Sequence, residues 1–345
     1  MTDIQITDGA DVPGQQWDTY VAAHPNATPY HQAAWLRIIG RAFGHETRWI
    51  GAEREGRVTG VLPLVVFRSR LFGRFVVSLP FVNYGGVLAS DPTSARLLID
   101  RAITIARASD AAHLELRHTG RLDERLAERT HKVAMVLPLA REPAEQWQRL
   151  DRKVRNLVRK AEREGVTSSV GGPELVDDFY GVFATSMRDL GTPVYPRRFF
   201  HQVLHTFPES TRVYRVAVSG RTVGASIVVQ HRDHVEVPWA STLRDYHRVS
   251  ANMLLYWAML GSSIERGAAT FDFGRSTRGG GTFRFKQQWG AEPRPLVWEY
   301  WLPSGRALPD LSPDNPRFRR VIQLWKHLPV ALTRTIGPAI VRNIP

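Results

Sequence analysis

The chain has 345 residues, 43% of them hydrophobic, and a formal net charge of +13. That length exceeds an ordinary single domain, so two domains are expected. There is no cysteine, which excludes disulfides and thiolate metal sites, and no uninterrupted apolar run of about twenty residues that would cross a bilayer.

The positive excess favours polyanionic partners: nucleic acid, phosphorylated metabolites or an anionic membrane face. Residues 1–14 are polar and acidic, without the layout of a secretory signal, so a cytoplasmic location is expected.

In chain order, residues 32–43 have helical spacing in Trp35, Leu36, Ile39 and Phe43. A hairpin follows, with strands at 48–51 and 58–67 around a turn at 54–57. A third strand, 75–79, runs into Pro80-Phe81-Val82-Asn83-Tyr84-Gly85-Gly86. Ser94 is placed to cap a helix reaching Arg107, and 113–117 alternates as another strand.

The second half repeats that plan. Gly56-Arg57-Val58-Thr59-Gly60 matches Gly220-Arg221-Thr222-Val223-Gly224 at an offset of 164. Ser94-Ala95 with Leu98 matches Ser250-Ala251 with Leu254 at 156, and His113-Leu114-Glu115-Leu116 matches Thr270-Phe271-Asp272-Phe273 at 157. Three matches in one order at nearly one offset indicate an internal duplication. Each unit reads as hairpin, strand, helix, strand, with helices on a mostly antiparallel sheet.

Three segments are basic. Residues 151–165 form a helix with Arg152, Arg155, Arg159 and Arg163 in one stripe and Val154, Leu157, Val158 and Ala161 opposite. The stripe is read as facing phosphates, the other reading being a solvated surface helix. Residues 188–200, with Arg188, Tyr195, Arg197 and Arg198, form a shaped loop before a helix, either a substrate lid or interdomain packing. The tail, 316–328, puts Phe318, Val321, Ile322, Trp325 and Leu328 on one side and Arg319, Arg320, Lys326 and His327 on the other. It is either an interfacial helix on anionic lipid or a closing helix on the first domain.

The densest chemistry lies at 268–290. Thr270-Phe271-Asp272-Phe273 is a strand that Gly274 ends; Arg275, Arg278 and three glycines follow, and Thr282 caps a short helix carrying Phe283, Phe285, Lys286 and Trp289. The helix opening at Ser250-Ala251-Asn252 would turn its N-terminal amides toward the strand at 235–241, forming an anion cradle. No zinc-protease, serine-hydrolase, P-loop or dinucleotide motif is present. His231 and His234 read as hairpin-turn residues, and no metal site is expected.

This plan resembles the GNAT-type acyltransferase fold, and its duplication resembles the FemAB family, whose members aminoacylate peptidoglycan precursors from aminoacyl-tRNA. The carrying motifs are Lys153-Val-Arg-Asn-Leu-Val-Arg-Lys-Ala-Glu, Arg188-Asp-Leu-Gly-Thr-Pro, Phe271-Asp-Phe-Gly-Arg-Ser and Phe283-Arg-Phe-Lys-Gln-Gln-Trp-Gly. With residues 79–86 they look most like the FemAB-related branch found beside PEP-CTERM/exosortase and exopolysaccharide genes. The resemblance implies an α/β (α+β) fold of two tandem GNAT-like domains, at 1–148 and 149–302, with a C-terminal helical tail at 303–345. It also implies a Phe285-Lys286 pair near the donor and an acceptor between the domains. The neighbourhood 31–37 lacks the lysine that some members use for a precursor phosphate, and their long helical hairpin for tRNA is absent.

Acyl transfer to an amine needs a deprotonated amine, a polarised carbonyl and a stabilised oxyanion. The catalytic candidates are Lys286, Asp272 and Glu236, the last two as alternative proton acceptors. Phe285, Arg275, Arg278, Ser250 and Asn252 are candidates for holding the donor. Arg152, Arg155, Arg159, Arg188, Tyr195, Asn83 and Tyr84 are candidates for holding the acceptor or its phosphates. Without cysteine or a Ser-His-acid grouping, direct transfer is expected. No tightly bound cofactor is expected; acyl-CoA, acyl carrier protein or aminoacyl-tRNA would serve as donor. The expected acceptor is a phosphorylated, glycan- or lipid-linked amine, the expected state a monomer, with tRNA and the inner membrane face as further partners. The alternatives are a GNAT enzyme acting on a small molecule and a non-catalytic basic adaptor for RNA or membrane.

Overall fold

The computed structural model describes residues 3–10, 14–69, 72–309 and 316–344. Its contacts fall into two units: Met1–Lys132, Pro295–Leu311 and Ala339–Pro345 in one, Val133–Arg294 and Ser312–Pro338 in the other. From the sequence, a separate tail and a first domain running without a break to 148 are expected. The contacts end it at Lys132, return 295–311 to it, and divide the tail between the units.

The first unit opens with β1 (Gln5–Gly9), α1 (Gln15–Ala23), α2 (Ala34–Phe43), β2 (Glu46–Arg54), β3 (Arg57–Ser69), β4 (Gly73–Val77) and β5 (Leu88–Ala89). Then come α3 (Pro92–Ala108), β6 (Leu114–His118) and β7 (Ala127–Arg129). The apolar spacing of α2 buries Trp35, Leu36, Ile39 and Phe43, and Gly44 closes the helix in the left-handed region at φ 72°. Asp91, not Ser94, caps α3, its carboxylate accepting from Ser94 N. Pro92 already has the backbone angle of a first helical residue, so the helix starts three residues earlier than a cap at Ser94 would place it.

The second unit follows with β8 (Lys132–Pro138), α4 (Pro143–Arg149), α5 (Arg152–Arg163), β9 (Val166–Gly171), α6 (Val176–Leu190) and α7 (Arg197–Thr206). The hairpin β10 (Thr211–Val218) and β11 (Arg221–His231) leads to β12 (His234–Thr242), α8 (Ala251–Glu265), β13 (Thr270–Thr277), α9 (Gly281–Gln287) and β14 (Glu292–Pro295). After β15 (Val297–Trp301) the tail supplies α10 (Pro316–Lys326) and α11 (Val330–Val341). Asp151 caps α5 by accepting from Lys153 N, and Val154, Val158 and Ala161 are its buried face. Tyr214, Met259, Phe271, Phe273 and Trp289 belong to the same apolar core.

The two sheets share one strand order. The first runs β1-β2-β3-β4-β6-β15-β7 with β5 on β3, and the second β9-β10-β11-β12-β13-β8-β14. In both, the fourth and fifth strands are parallel, β4 to β6 and β12 to β13, and a helix crosses between them. The matched segments 56–60 and 220–224 open the third strand of each sheet, and 113–116 and 270–273 lie at the fifth. The sixth strand of each sheet is supplied out of turn. β8 precedes the rest of its sheet, and β15 reaches its sheet long after β7.

In the second unit, α10 lies against the end of α6. Gly191 lets it approach closely: a Cβ there would stand 2.5 Å from Ile322 Cγ2. Val321, assigned to the apolar packing side, is instead 61% exposed, because Ile322, Trp325 and the stem of Lys326 face inward. The side chain of Phe318 lies outside the described residues.

Candidate active site

Strand β12 organises the site. Toward β13 its parallel ladder holds only His234↔Thr270, Val235↔Phe271 and Glu236↔Asp272, although both strands continue. Toward β11 the pairing persists to Gly224↔Thr242, with a shift between Ile227↔Trp239 and Val229↔Glu236. There Val237 and Pro238 of β12 stand opposite the single Val228, a β-bulge. Proline offers no N–H, so a central strand tolerates it only at such an irregularity. The strands part at the bulge, opening the sheet along Val237–Thr242 of β12.

At the point of parting sit Glu236 and Asp272, both fully buried. Asp272 Oδ1 accepts from Gly274 N at 2.7 Å, and its Oδ2 lies 3.9 Å from His234 Nε2. Gly274 does not end the strand as expected. It lies inside β13 at φ 75°, where the Asp272 side chain takes the N–H that the ladder would have taken.

Lys286 comes in from α9. Its ammonium donates to Gly274 O at 2.9 Å and Arg275 O at 3.0 Å, and the side chain is buried. Burial lowers its pKa to about 8 against the opposing pull of Asp272 and Glu236, with Arg275 adding to the depression. Thr282, the expected cap of α9, instead falls within its first turn; the cap is Gly280, without a side-chain bond. Phe285 is half-buried, its ring 5.0 Å from Tyr256, and Arg275 and Arg278 are exposed.

At the other end of β12, residues 243–250 lead into α8. Ser250 holds a left-handed backbone at φ 57° and makes no side-chain cap. Such a conformation is costly outside glycine. The first amides of the 15-residue α8 accordingly have no side-chain cap at Ser250. Arg244, His247 and Arg248 are exposed in the approach to this helix, and Asn252 is half-buried in its first turn.

The acceptor candidates are scattered. Arg152 and Arg159 are exposed on α5, Arg155 is half-buried there, and the Arg159 guanidinium lies 5.4 Å from the Trp147 ring. Arg188 is engaged structurally, donating to Asp189 Oδ1 at 2.6 Å and Leu328 O at 2.9 Å. The Tyr195 ring packs near Phe199 and Phe200, while its carbonyl accepts from the Tyr180 hydroxyl. Asn83 and Tyr84 belong to the first unit and are buried there, Tyr84 stacked 6.3 Å from Tyr30.

Three features are not anticipated from local sequence: the contact of His234 with Asp272, the bulge, and the pair Arg244 and Arg248. Pro238 within an otherwise clean strand was the available signal for the bulge.

A parallel pair that opens beside a helix N-terminus, with buried acids where it parts, can hold an extended activated acyl donor and accept an amine proton. Residues 148–287 match the model of the acetyltransferase (GNAT) domain. The chain carries that domain and is an acyltransferase. No curated protein sequence matches it. Among solved structures it resembles FemX, with 14% identity and a TM-score of 0.64 over 92% of this chain and 100% of that one. It also resembles L-PGS from Bacillus licheniformis, with 11% identity and a TM-score of 0.58 over 93% and 99% of the two chains. A third likeness is a tandem GNAT protein from the clavulanic acid biosynthesis pathway, with 13% identity and a TM-score of 0.56 over 89% and 100%. At these identities the likeness is one of fold, and that fold is the tandem GNAT arrangement.

Proposed function

We propose that the second unit transfers an acyl group from a thioester or aminoacyl ester donor to a primary amine. The acceptor is read as a cell-envelope or exopolysaccharide-related precursor, on the motifs shared with the FemAB-related branch. The observation that carries the transfer is the parting of β12 from β13 at Glu236↔Asp272, beside the bulge at Val237 and Pro238.

The donor lies along Val237–Thr242, because the β13 side of the opening is already engaged: Lys286 takes its carbonyls and Asp272 the Gly274 N–H. The anionic end of the donor meets the α8 N-terminus with Arg244 and Arg248. Glu236, at the last rung of the ladder, accepts the proton as the amine attacks the acyl carbon. Asp272 holds the turn of β13 and so orders the site. The tetrahedral intermediate then expels the thiolate or alkoxide of the donor. Lys286 acts through β13, fixing the opening, and is a positioning residue.

Acyl-CoA is the first donor to test, with acyl carrier protein thioesters and aminoacyl-tRNA as the other arms. Thermal stabilisation that grows with concentration of one donor class, followed by acylation of an amine detected by mass spectrometry, is the expected result. Absence of stabilisation by every class would sink the reading.

A further inference from the structure

The surface of the second unit is unusual at its tail. The exposed large apolar side chains include Leu324 at 70%, Val321 at 61% and Leu332 at 43%. Val321 and Leu324 lie one turn apart on a helix whose opposite face is tightly seated against Gly191, so their exposure belongs to the packed state. Exposed Arg319 and Arg320 flank them. From 316 to 345 the chain has six Lys or Arg residues and no acid.

Beside these helices lies a cleft of about 530 Å³, lined by Tyr180, Pro196, Arg197, Arg198, Arg334 and Thr335 among others. Arg197 and Arg198 are the first two residues of α7, where the unpaired amides already favour negative charge. Cations there oppose helix stability. Arg197 is paired with Asp177, and the Arg334 guanidinium lies 5.1 Å from the Tyr180 ring. Three guanidinium groups thus converge on a space large enough for a phosphate-bearing group.

We propose that α10 and α11 form a surface anchor for an anionic lipid bilayer. Val321, Leu324 and Leu332 enter the interface, and the arginine cleft seats a lipid phosphate. The helices, 11 and 12 residues long, suit lying in the headgroup layer and are too short to span it. Branched apolar side chains set among cations fit lipid better than nucleic acid, which is held by cations and aromatic stacking. The inference is independent of the transferase reading, because vesicle binding is measured without turnover.

The test is flotation of the full-length protein with phosphatidylcholine vesicles, pure or with roughly 30 mol% phosphatidylglycerol. Binding is expected only with the anionic vesicles, weakening as salt rises. The double variant Val321→Glu with Leu324→Glu should bind roughly tenfold more weakly. Arg198→Ala and Arg334→Ala should each cost about fivefold. All four side chains are exposed, and unchanged melting curves would confirm that the variants fold. The proposal would be overturned by no flotation, by binding indifferent to the glutamate variant, or by loss of binding to tRNA competition with the apolar positions irrelevant. Stabilisation by inorganic phosphate through Arg198 and Arg334, without vesicle binding, would make the cleft a soluble-anion site and likewise refute it.

Discussion

His118 Nδ1 lies 2.6 Å from Glu299 Oε2, and both side chains are buried in the first unit. Glu299 comes from β15, 181 positions later in the chain, and its carboxylate also accepts from Leu122 N and Asp123 N. Burial alone would raise its pKa, but the His118 hydrogen bond and the two amides outweigh that and hold it below the ordinary range. Its contribution to stability is therefore present above the unfolded glutamate pKa and lost as pH falls through the lower folded value. Glu299→Ala should cost about 3–5 kcal/mol at neutral pH by leaving buried His118 and two backbone amides without their acceptor. Urea unfolding at pH 7 and at pH 3.5 should show the difference between wild type and variant shrinking at the lower pH.

A second acid-sensitive group is His31. Burial lowers its pKa to about 4, while its ring accepts from Thr28 N through Nδ1 and reaches Gly86 O through Nε2. The neutral ring is the one that fits. Between pH 6.5 and 4 the unfolded chain binds the proton more readily, so stability falls as pH drops through that window. His31→Gln should flatten the dependence of unfolding free energy on pH there, by about 3 kcal/mol over the window. An unchanged slope would remove His31 as its source.

Lys286 gives the opposite edge of the pH range. Its folded pKa of about 8 lies below the ordinary 10.5, so the folded state sheds this proton first and stability rises with pH between the two values. Wild type should gain on Lys286→Met by an amount on the order of 3 kcal/mol from pH 8 to 10.5. At pH 7 the variant should lower kcat by roughly a hundredfold with the donor Kd little changed, since the opening of β13 loses its support. Equal activity would show that β13 holds its place without the ammonium.

Glu236→Gln separates proton transfer from binding. The amide preserves shape and cannot take the amine proton, so kcat should drop by about 10²–10⁴ while donor affinity survives. A rate that recovers at high pH, where the amine deprotonates in solution, would mark the loss as general-base loss.

Much of this was legible in local pattern. The repeat of 56–60 at 220–224 and the alternation at 270–273 located the third and fifth strands of both sheets, because side-chain periodicity and turn chemistry act over a few residues. The continuation of β13 past Gly274 was not legible, since glycine reads as a terminator until a side chain such as Asp272 is seen to take over its N–H. Nor was the cap of α3, where Ser94 and Asp91 both suit the role and Pro92 decides between them. For the site, the acids and Lys286 could be named from residue type. What brings them together, a bulge at Pro238 that parts two strands, depends on pairing across the sheet.

The out-of-turn sixth strand carries a practical consequence for dissecting the molecule. Shortening the protein to residues 149–302, the boundaries that the sequence suggests, would discard β8 and bare the flank of the strand bearing Asp272. A bare hydrogen-bonding flank recruits other chains, so such a fragment should precipitate or swap strands rather than report on catalysis. An isolated second unit has to begin before Lys132.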